Sequence, residues 1–109
     1  PCIACNDCVG MMFQGWQIHC TVNPELGNEY LDRVQPTKTP KRVVIIGGGP
    51  AGMQCALITA RRGHHVTLVE RTGQLGGMMQ AASTPAYKRQ EIEAVIEYFK
   101  HQDQDKDED

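Results

Sequence analysis

The stretch RVVIIGGGPAG at residues 42–52 constrains the fold more strongly than any other part of this chain. Val43 to Ile46 form an unbroken β-branched run, which is typical of a parallel strand covered on both faces. Directly after it come Gly47, Gly49 and Gly52, at the spacing GxGxxG. A hydrophobic strand that leads into glycines at this spacing predicts a tight turn into a helix, the first half of a βαβ unit.

The following residues supply the rest of that unit. One apolar face at helical spacing predicts a helix from about Ala51 to Arg62, and Gly63 is the residue expected just after its end. Val66 to Val69 predict a second strand, and another amphipathic helix is expected from near Pro85 to His101. The predicted fold class is therefore α/β, with a Rossmann-like dinucleotide-binding unit in residues 42–102.

The glycines also carry chemical information. Gly47 permits the tight turn, and Gly49 has no side chain, so a pyrophosphate can approach the backbone at the positive end of the helix. Gly52 allows helix and strand to pack closely. The motif alone is a weak signal, but here it lies between a strand and a helix and is followed by an acid on the next strand. The alternative is a glycine-rich turn in another α/β fold.

That acidic residue is Glu70, which lies eighteen residues beyond Gly52. Its carboxylate can accept hydrogen bonds from the ribose hydroxyls of an adenine dinucleotide, and it would repel a 2′-phosphate. The pocket is therefore expected to take FAD, NAD or ADP rather than NADP.

Four cysteines near the start of the chain form the second strong motif. Cys2, Cys5 and Cys8 share the run C-x2-C-x2-C, and Cys20 follows after eleven further residues. Thiolates so arranged can converge on a cubane iron–sulfur cluster, whose four irons each need one soft ligand. The pattern predicts a 4Fe–4S segment in residues 1–23.

Zinc is the alternative occupant, because four thiolates also hold structural zinc. Zinc sites usually combine two C-x2-C pairs from separate loops, whereas three of these cysteines share one run. A zinc site would make the chain a non-catalytic nucleotide-binding module.

Two further expectations concern residues near these motifs. Cys55 lies within the first predicted helix and is interpreted as a small core side chain. The apolar residues Met11, Met12, Phe13 and Trp16 are expected either to shield the metal centre or to contact a partner domain.

Composition excludes several classes of function. The chain has 11 Lys and Arg against 13 Asp and Glu, so its net charge of −2 implies neither nucleic acid nor an anionic membrane as a partner. No apolar run is long enough to span a membrane, and no signal peptide is visible. Iron–sulfur ligation suits a reducing compartment, so a cytoplasmic location is expected.

The organisation along the chain follows from these motifs. Residues 24–41 contain several prolines among polar residues and are predicted to be a linker, and residues 103–109 an acidic tail. Because a ligand stands at position 2 and the first residue is not Met, the sequence is expected to be a piece of a longer protein.

The two motifs together carry a family resemblance. CIACNDC and CTVNP, the linker, KRVVIIGGGPAGMQCALITARRGHHVTLVER and LGG resemble the flavin and iron–sulfur oxidoreductases related to 2,4-dienoyl-CoA reductase and trimethylamine dehydrogenase. The resemblance extends from Cys2 to about Tyr98. It is specific, because two independent motifs occur in the family's order and at about its separation.

The resemblance implies roles for particular residues. Cys2, Cys5, Cys8 and Cys20 match the four ligands of the family's 4Fe–4S cluster. The residues that match its FAD or ADP site are those of the pyrophosphate loop, the ribose-binding acid, the residue after it and a second glycine pair: Gly47, Gly49, Pro50, Ala51, Gly52, Glu70, Arg71, Gly76 and Gly77. No catalytic residue is expected in this chain.

The resemblance also implies partners. In that family an FMN-binding TIM barrel precedes the cysteine segment and holds the substrate chemistry. In reductase-type members a separate nucleotide domain supplies hydride from NAD(P)H to FAD, whereas amine-dehydrogenase members hold ADP at the FAD position. The cluster would relay single electrons, and the chain would be an oxidoreductase segment that is inactive without its flanking domains.

Overall fold

A parallel βαβ unit forms the centre of the structure, a computed structural model that describes residues 1–29 and 34–103. In chain order the elements are α1 (Asp7–Phe13), β1 (Arg42–Ile46), α2 (Pro50–Arg61), β2 (His65–Val69), α3 (Met78–Ala82) and α4 (Ala86–Asp103). The two strands pair in parallel without offset, from Arg42 opposite His65 to Ile46 opposite Val69. The predicted strand–helix–strand order is confirmed, with bounds that differ by at most one residue.

The ends of α2 follow from local sequence. Gly49 is the N-cap and Pro50 is the first helical residue, where the fixed φ of proline suits a helix and its missing N–H costs nothing. After Arg62 at the C-cap, Gly63 has φ 95°, the left-handed conformation that favours glycine after a helix. The predicted stop at Gly63 is confirmed.

The core lies between α2 and α4. Met53 and Leu57 of α2 pack with Val95 and Phe99 of α4, and all four side chains are at most 4% exposed. The residues that pack against this cluster come from several parts of the chain: Ile3, Val22, Leu75, Met79 and Tyr98. Because Ile3 and Val22 belong to the cysteine segment, that segment shares the core of the βαβ unit.

The sheet is covered on one face only among the described residues. The side chains of Val43, Ile45, Val66 and Leu68 point towards α2, whereas those on the other face are open. Val44 is 64% exposed, Ile46 87% and Val69 46%. The expectation of a strand covered on both faces is therefore met for one face.

The structure adds two short helices to the predicted elements and corrects the interpretation of Cys55. The cysteine segment contains the helix α1, and the short α3 follows the second glycine pair. Cys55 is exposed on α2, so its interpretation as a core residue is wrong; it lies two residues from the buried Met53 and therefore on the far side of the helix. Of the apolar residues of the cysteine segment, Met11 is buried, while Met12, Phe13 and Trp16 are 60–82% exposed.

Parts of two predicted regions, residues 30–33 of the linker and 104–109 of the tail, lie outside the described residues. Among the helices that are described, none combines the length and the apolar character needed to cross a membrane.

Replacement of Met53 by alanine is expected to destabilise the fold by about 2–5 kcal/mol, the usual cost of a cavity in a packed core. Met53 has no exposed surface, whereas Met78 is 81% exposed. Met78→Ala is therefore the matched control, with an expected change within about 0.5 kcal/mol. Urea denaturation monitored by circular dichroism measures the stability of both variants. Equal urea midpoints for the two variants would contradict the assignment of this core.

Candidate functional site

The turn between β1 and α2 requires glycine for two geometric reasons. Gly47 has φ 110°, a conformation that a side chain would strain, and its N–H donates to the Val69 carbonyl oxygen at 2.8 Å. A Cβ atom on Gly52 would overlap the carbonyl oxygen of Gly47. The predicted structural roles, a tight turn and close packing of helix against strand, are confirmed for these two residues.

The first turn of α2 has the properties of an anion site. The N-cap Gly49 has no side chain to cap the helix, and the first turn, Pro50 to Met53, contains no acidic residue. The first N–H groups of a helix have no partner within it, and they carry the positive end of its dipole. A pyrophosphate would satisfy those donors, so the residues fit the predicted ligand; its binding to Gly49, Pro50 and Ala51 stays a prediction.

Glu70, at the end of β2, is hydrogen-bonded to the same turn. Its Oε1 accepts from the Gly48 N–H at 2.9 Å, and its Oε2 accepts from the N–H and hydroxyl of Thr72 at 2.7 and 2.8 Å. The Thr72 N–H, then the Gly48 N–H and the Thr72 hydroxyl, lower the pKa of Glu70 to about 2. Glu70 is therefore ionised at neutral pH. A carboxylate has about four acceptor positions and three are used here, so Glu70 can still accept a hydrogen bond from a ribose hydroxyl.

The second glycine pair packs against the first turn rather than standing apart from it. The Gly76 N–H donates to the Gly48 carbonyl oxygen at 2.7 Å. A Cβ atom on Gly77 would lie 2.9 Å from the Cα atom of Gly49, closer than real Cβ contacts. The two loops therefore meet backbone to backbone.

Gly48 is a site residue that the sequence reasoning missed. A Cβ atom there would lie 2.8 Å from Leu75 Cδ2 and 3.1 Å from Glu70 Cγ. GxGxxG leaves this position open, but the run of three glycines at 47–49 was the signal that could have found it.

An open cleft of about 740 Å³ lies at the carboxyl ends of the two strands. Four predicted residues line it, namely Gly47, Glu70, Arg71 and Gly77. The loop and helix after β2 add residues that are outside the predicted site set: Thr72, Gln74, Met78 and Gln80. Ligands of open α/β sheets bind at this edge, so the position of the cleft fits a dinucleotide.

Two side-chain contacts fold the cysteine segment back on itself. Cys5 Sγ lies 3.3 Å from the hydroxyl oxygen of Thr21, the residue after Cys20. His19 Nε2 lies 2.9 Å from Asp7 Oδ2. Both contacts join the first cysteine run to the stretch around Cys20, as a shared ligand set requires.

The backbone between the first cysteines is turned by two residues with positive φ, Ala4 at 54° and Asn6 at 62°. Cys2 Sγ accepts a hydrogen bond from the Ala4 N–H at 3.3 Å, and Cys20 Sγ accepts one from the Val22 N–H at 3.4 Å. Backbone N–H groups that donate to cysteine sulfur are among the means by which proteins tune iron–sulfur clusters.

The thiols themselves are available as ligands. Cys2, Cys5, Cys8 and Cys20 are all free of disulfides and at least partly accessible. The Thr21 hydroxyl, followed by the backbone N–H of Asp7, lowers the pKa of Cys5 below its usual value and so favours the thiolate. Among the side chains that the structure describes, in residues 1–29 and 34–101, no three of His, Cys, Asp or Glu form a group that could hold a metal ion. The chemistry of the donors fits a cluster, and the ligand set stays a prediction.

Comparison with known proteins gives the family. The family model described as FAD dependent oxidoreductase matches residues 42–103, which span the βαβ unit and both glycine motifs. The chain belongs to this family. The relatives below place it among the flavin oxidoreductases related to 2,4-dienoyl-CoA reductase and trimethylamine dehydrogenase, so the resemblance seen in the sequence is confirmed.

Several relatives of this flavin oxidoreductase segment match most of its length. NADH oxidase of Thermoanaerobacter brockii is 42% identical over 102 residues, covering 91% of this chain and 15% of that protein. Dimethylamine dehydrogenase of Hyphomicrobium sp. is 35% identical over 89 residues, covering 76% of this chain and 12% of that protein. A solved structure of 2-naphthoyl-CoA reductase with 2-naphthoyl-CoA matches with a TM-score of 0.84 and 35% identity, covering 93% of this chain and 16% of that one. The chain thus spans about a sixth or less of the length of these relatives.

Gly52→Ala is expected to destabilise the fold by about 1–3 kcal/mol and to lower dinucleotide occupancy, because the added methyl group must displace the Gly47 carbonyl. Gly10→Ala is the control, since a Cβ atom there meets nothing within 4 Å and Gly10 lies inside α1. Urea midpoints and the adenine content of the purified protein provide the readouts. Unchanged occupancy in Gly52→Ala would contradict the geometry of the turn.

The low pKa of Glu70 predicts a pH-dependent contribution to stability. Because folding lowers this pKa from 4.5 to about 2, the stabilisation is fully present above about pH 5 and is lost as pH falls towards 2. Glu70→Gln removes the titration, so the difference in free energy of unfolding between the two proteins should shrink over this range. Urea denaturation at several pH values tests this, and a difference that stayed constant from pH 6 to 2 would refute it.

Proposed function

We propose that this chain is the electron-transferring segment of a flavin-dependent oxidoreductase of the ene-reductase or amine-dehydrogenase type. Its cysteines would hold a 4Fe–4S cluster, and its βαβ unit would bind FAD or ADP. The observation that carries the proposal is the convergence of the helix start at Gly49, the ionised Glu70 and the Gly76–Gly77 pair on one turn.

The dinucleotide half is supported by complementary charge. The uncapped start of α2 attracts phosphate, while the Glu70 carboxylate attracts hydroxyl groups and repels a second phosphate on the ribose. This arrangement favours FAD, NAD or ADP over a 2′-phosphorylated dinucleotide. Arg71, beside Glu70 on the cleft wall, is a candidate neighbour of the adenosine.

The cluster half is supported by the cysteine segment and its packing. Four accessible thiols lie in a segment whose Ile3 and Val22 pack on the core between α2 and α4. One scaffold would therefore fix the distance between cluster and dinucleotide, which electron transfer requires. When bound, the cluster supplies one-electron transfer between cofactors that exchange two electrons with their substrates.

The remaining partners of the proposal come from the family. An FMN-binding TIM barrel would carry the substrate chemistry, and NAD(P)H would exchange electrons with FAD through a further nucleotide-binding domain. Relatives include a cinnamate reductase of Clostridium sporogenes as well as the dimethylamine dehydrogenase, so both reaction types belong to the proposal. A reducing compartment such as the cytoplasm suits thiol ligands.

Cys20→Ser, compared with Cys55→Ser, tests the metal centre. The first variant removes a proposed ligand, and the second removes the exposed cysteine of α2. We expect the native protein to show broad visible absorption that bleaches with dithionite and to contain iron and sulfide. Cys20→Ser should lose most of that absorption, and Cys55→Ser should retain it.

Two results would contradict this proposal. A colourless native protein with stoichiometric zinc would support the non-catalytic nucleotide-binding module instead. Equal cluster content in both variants would exclude Cys20 as a ligand. Flavin fluorescence after denaturation separates FAD from ADP in the cleft.

A further inference from the structure

A lysine of the dinucleotide-binding unit reaches the loop between the first two cysteines. Lys88 lies in the first turn of α4, and its Nζ donates to the carbonyl oxygens of Ile3 at 2.7 Å and Ala4 at 3.1 Å. The partners are 85 and 84 residues apart in the chain, and Lys88 is half-buried. A local role within α4 does not explain this contact.

The loop that Lys88 contacts contains a residue in a backbone conformation that is uncommon without stabilising contacts. Ala4 has φ 54°, which is uncommon for a residue with a side chain and persists where surrounding contacts fix it. On one side of the loop, the Ile3 side chain packs against the core that contains Val95 and Phe99 of α4. On the other side of the loop, the Lys88 ammonium group donates hydrogen bonds to the backbone carbonyl oxygens of Ile3 and Ala4. The core that Ile3 packs against is shared by α2 and α4, and Lys88 belongs to α4.

We propose that Lys88 is a positioning residue for the iron–sulfur cluster. In this role Lys88 fixes the Cys2–Cys5 loop and makes the cluster easier to reduce. The inference rests on the proposed function, since it requires a cluster at the cysteines. Reduction adds one negative charge, and a nearby positive charge stabilises the reduced state more than the oxidised one. A half-buried ammonium is screened less by salt than an exposed one.

The neighbouring residue provides a matched control. Arg89 also donates to two backbone carbonyls, with its Nε 3.4 Å from the Ser83 oxygen and a terminal nitrogen 2.9 Å from the Thr84 oxygen. Those carbonyls belong to the connection between α3 and α4, not to the cysteine segment. Arg89→Met therefore removes an equal charge from the same helix turn and leaves the loop contact intact.

The experiment is a potentiometric titration of the cluster in the complete native protein, in which electron paramagnetic resonance measures the reduced cluster at each potential. At the midpoint potential of the native protein, Lys88→Met should lower the ratio of reduced to oxidised cluster about threefold. This equals a shift of about 28 mV at about 59 mV per tenfold change for one electron. Lys88→Arg should restore most of the ratio, and Arg89→Met should leave it unchanged.

Hydrogen exchange of residues 2–5 gives a second readout, and Lys88→Gln a second neutral variant. Faster exchange there, or loss of iron, in the neutral Lys88 variants but not in Arg89→Met supports the proposal. Equal potentials and exchange in the Lys88→Met, Lys88→Gln and Arg89→Met variants would overturn it while leaving the cluster in place. A native protein without iron would instead overturn the proposed function itself, so the two failures are distinguishable.

Discussion

The close approach of the Gly47 carbonyl to Gly52 is the constraint on which the rest of the site depends. Without a Cβ atom at Gly52, the first turn of α2 can lie directly over the end of β1. This places the N-cap Gly49 at the carboxyl edge of the sheet, where Gly77 packs on it backbone to backbone. It also brings Gly48 within hydrogen-bond distance of Glu70. Turn, acid and second glycine pair thus meet at one place, through contacts that each use main-chain atoms of Gly47, Gly48 or Gly49.

The cysteine segment depends on this unit for its position rather than on a core of its own. A stretch of about twenty residues buries too little apolar surface to be stable alone. Here Ile3 and Val22 pack against the core between α2 and α4, and Lys88 donates hydrogen bonds to the loop between Cys2 and Cys5. Contacts within the segment, such as Cys5 with Thr21, then set the relative position of its two halves. Two motifs that are far apart in sequence consequently share one support.

Much of the βαβ unit was predictable from sequence because its signals are local. The β-branched run of β1, Pro50 at the start of α2 and Gly63 after its end each act within a few residues. What the sequence could not give depends on neighbours distant in the chain. The need for glycine at position 48 comes from Leu75 and Glu70, and the contact of Lys88 joins residues more than eighty positions apart. The exposure of Cys55 follows from its position in the helix, two residues from Met53 and off the apolar face, which decides burial here more than the small apolar side chain does.

The open face of the sheet indicates how stable these residues are by themselves. Val44, Ile46 and Val69 lie on the side opposite α2, and all three are substantially exposed. Parallel sheets are stable where both faces are covered, and a sheet of two strands has little stability by itself. The covered face, with Leu68 and Met53 buried, is therefore the side from which α2 and α4 stabilise the turn and the cysteine segment. The open face ends at Ile46 and Val69, which line the cleft, so any element that packed there would also form a wall of that cleft.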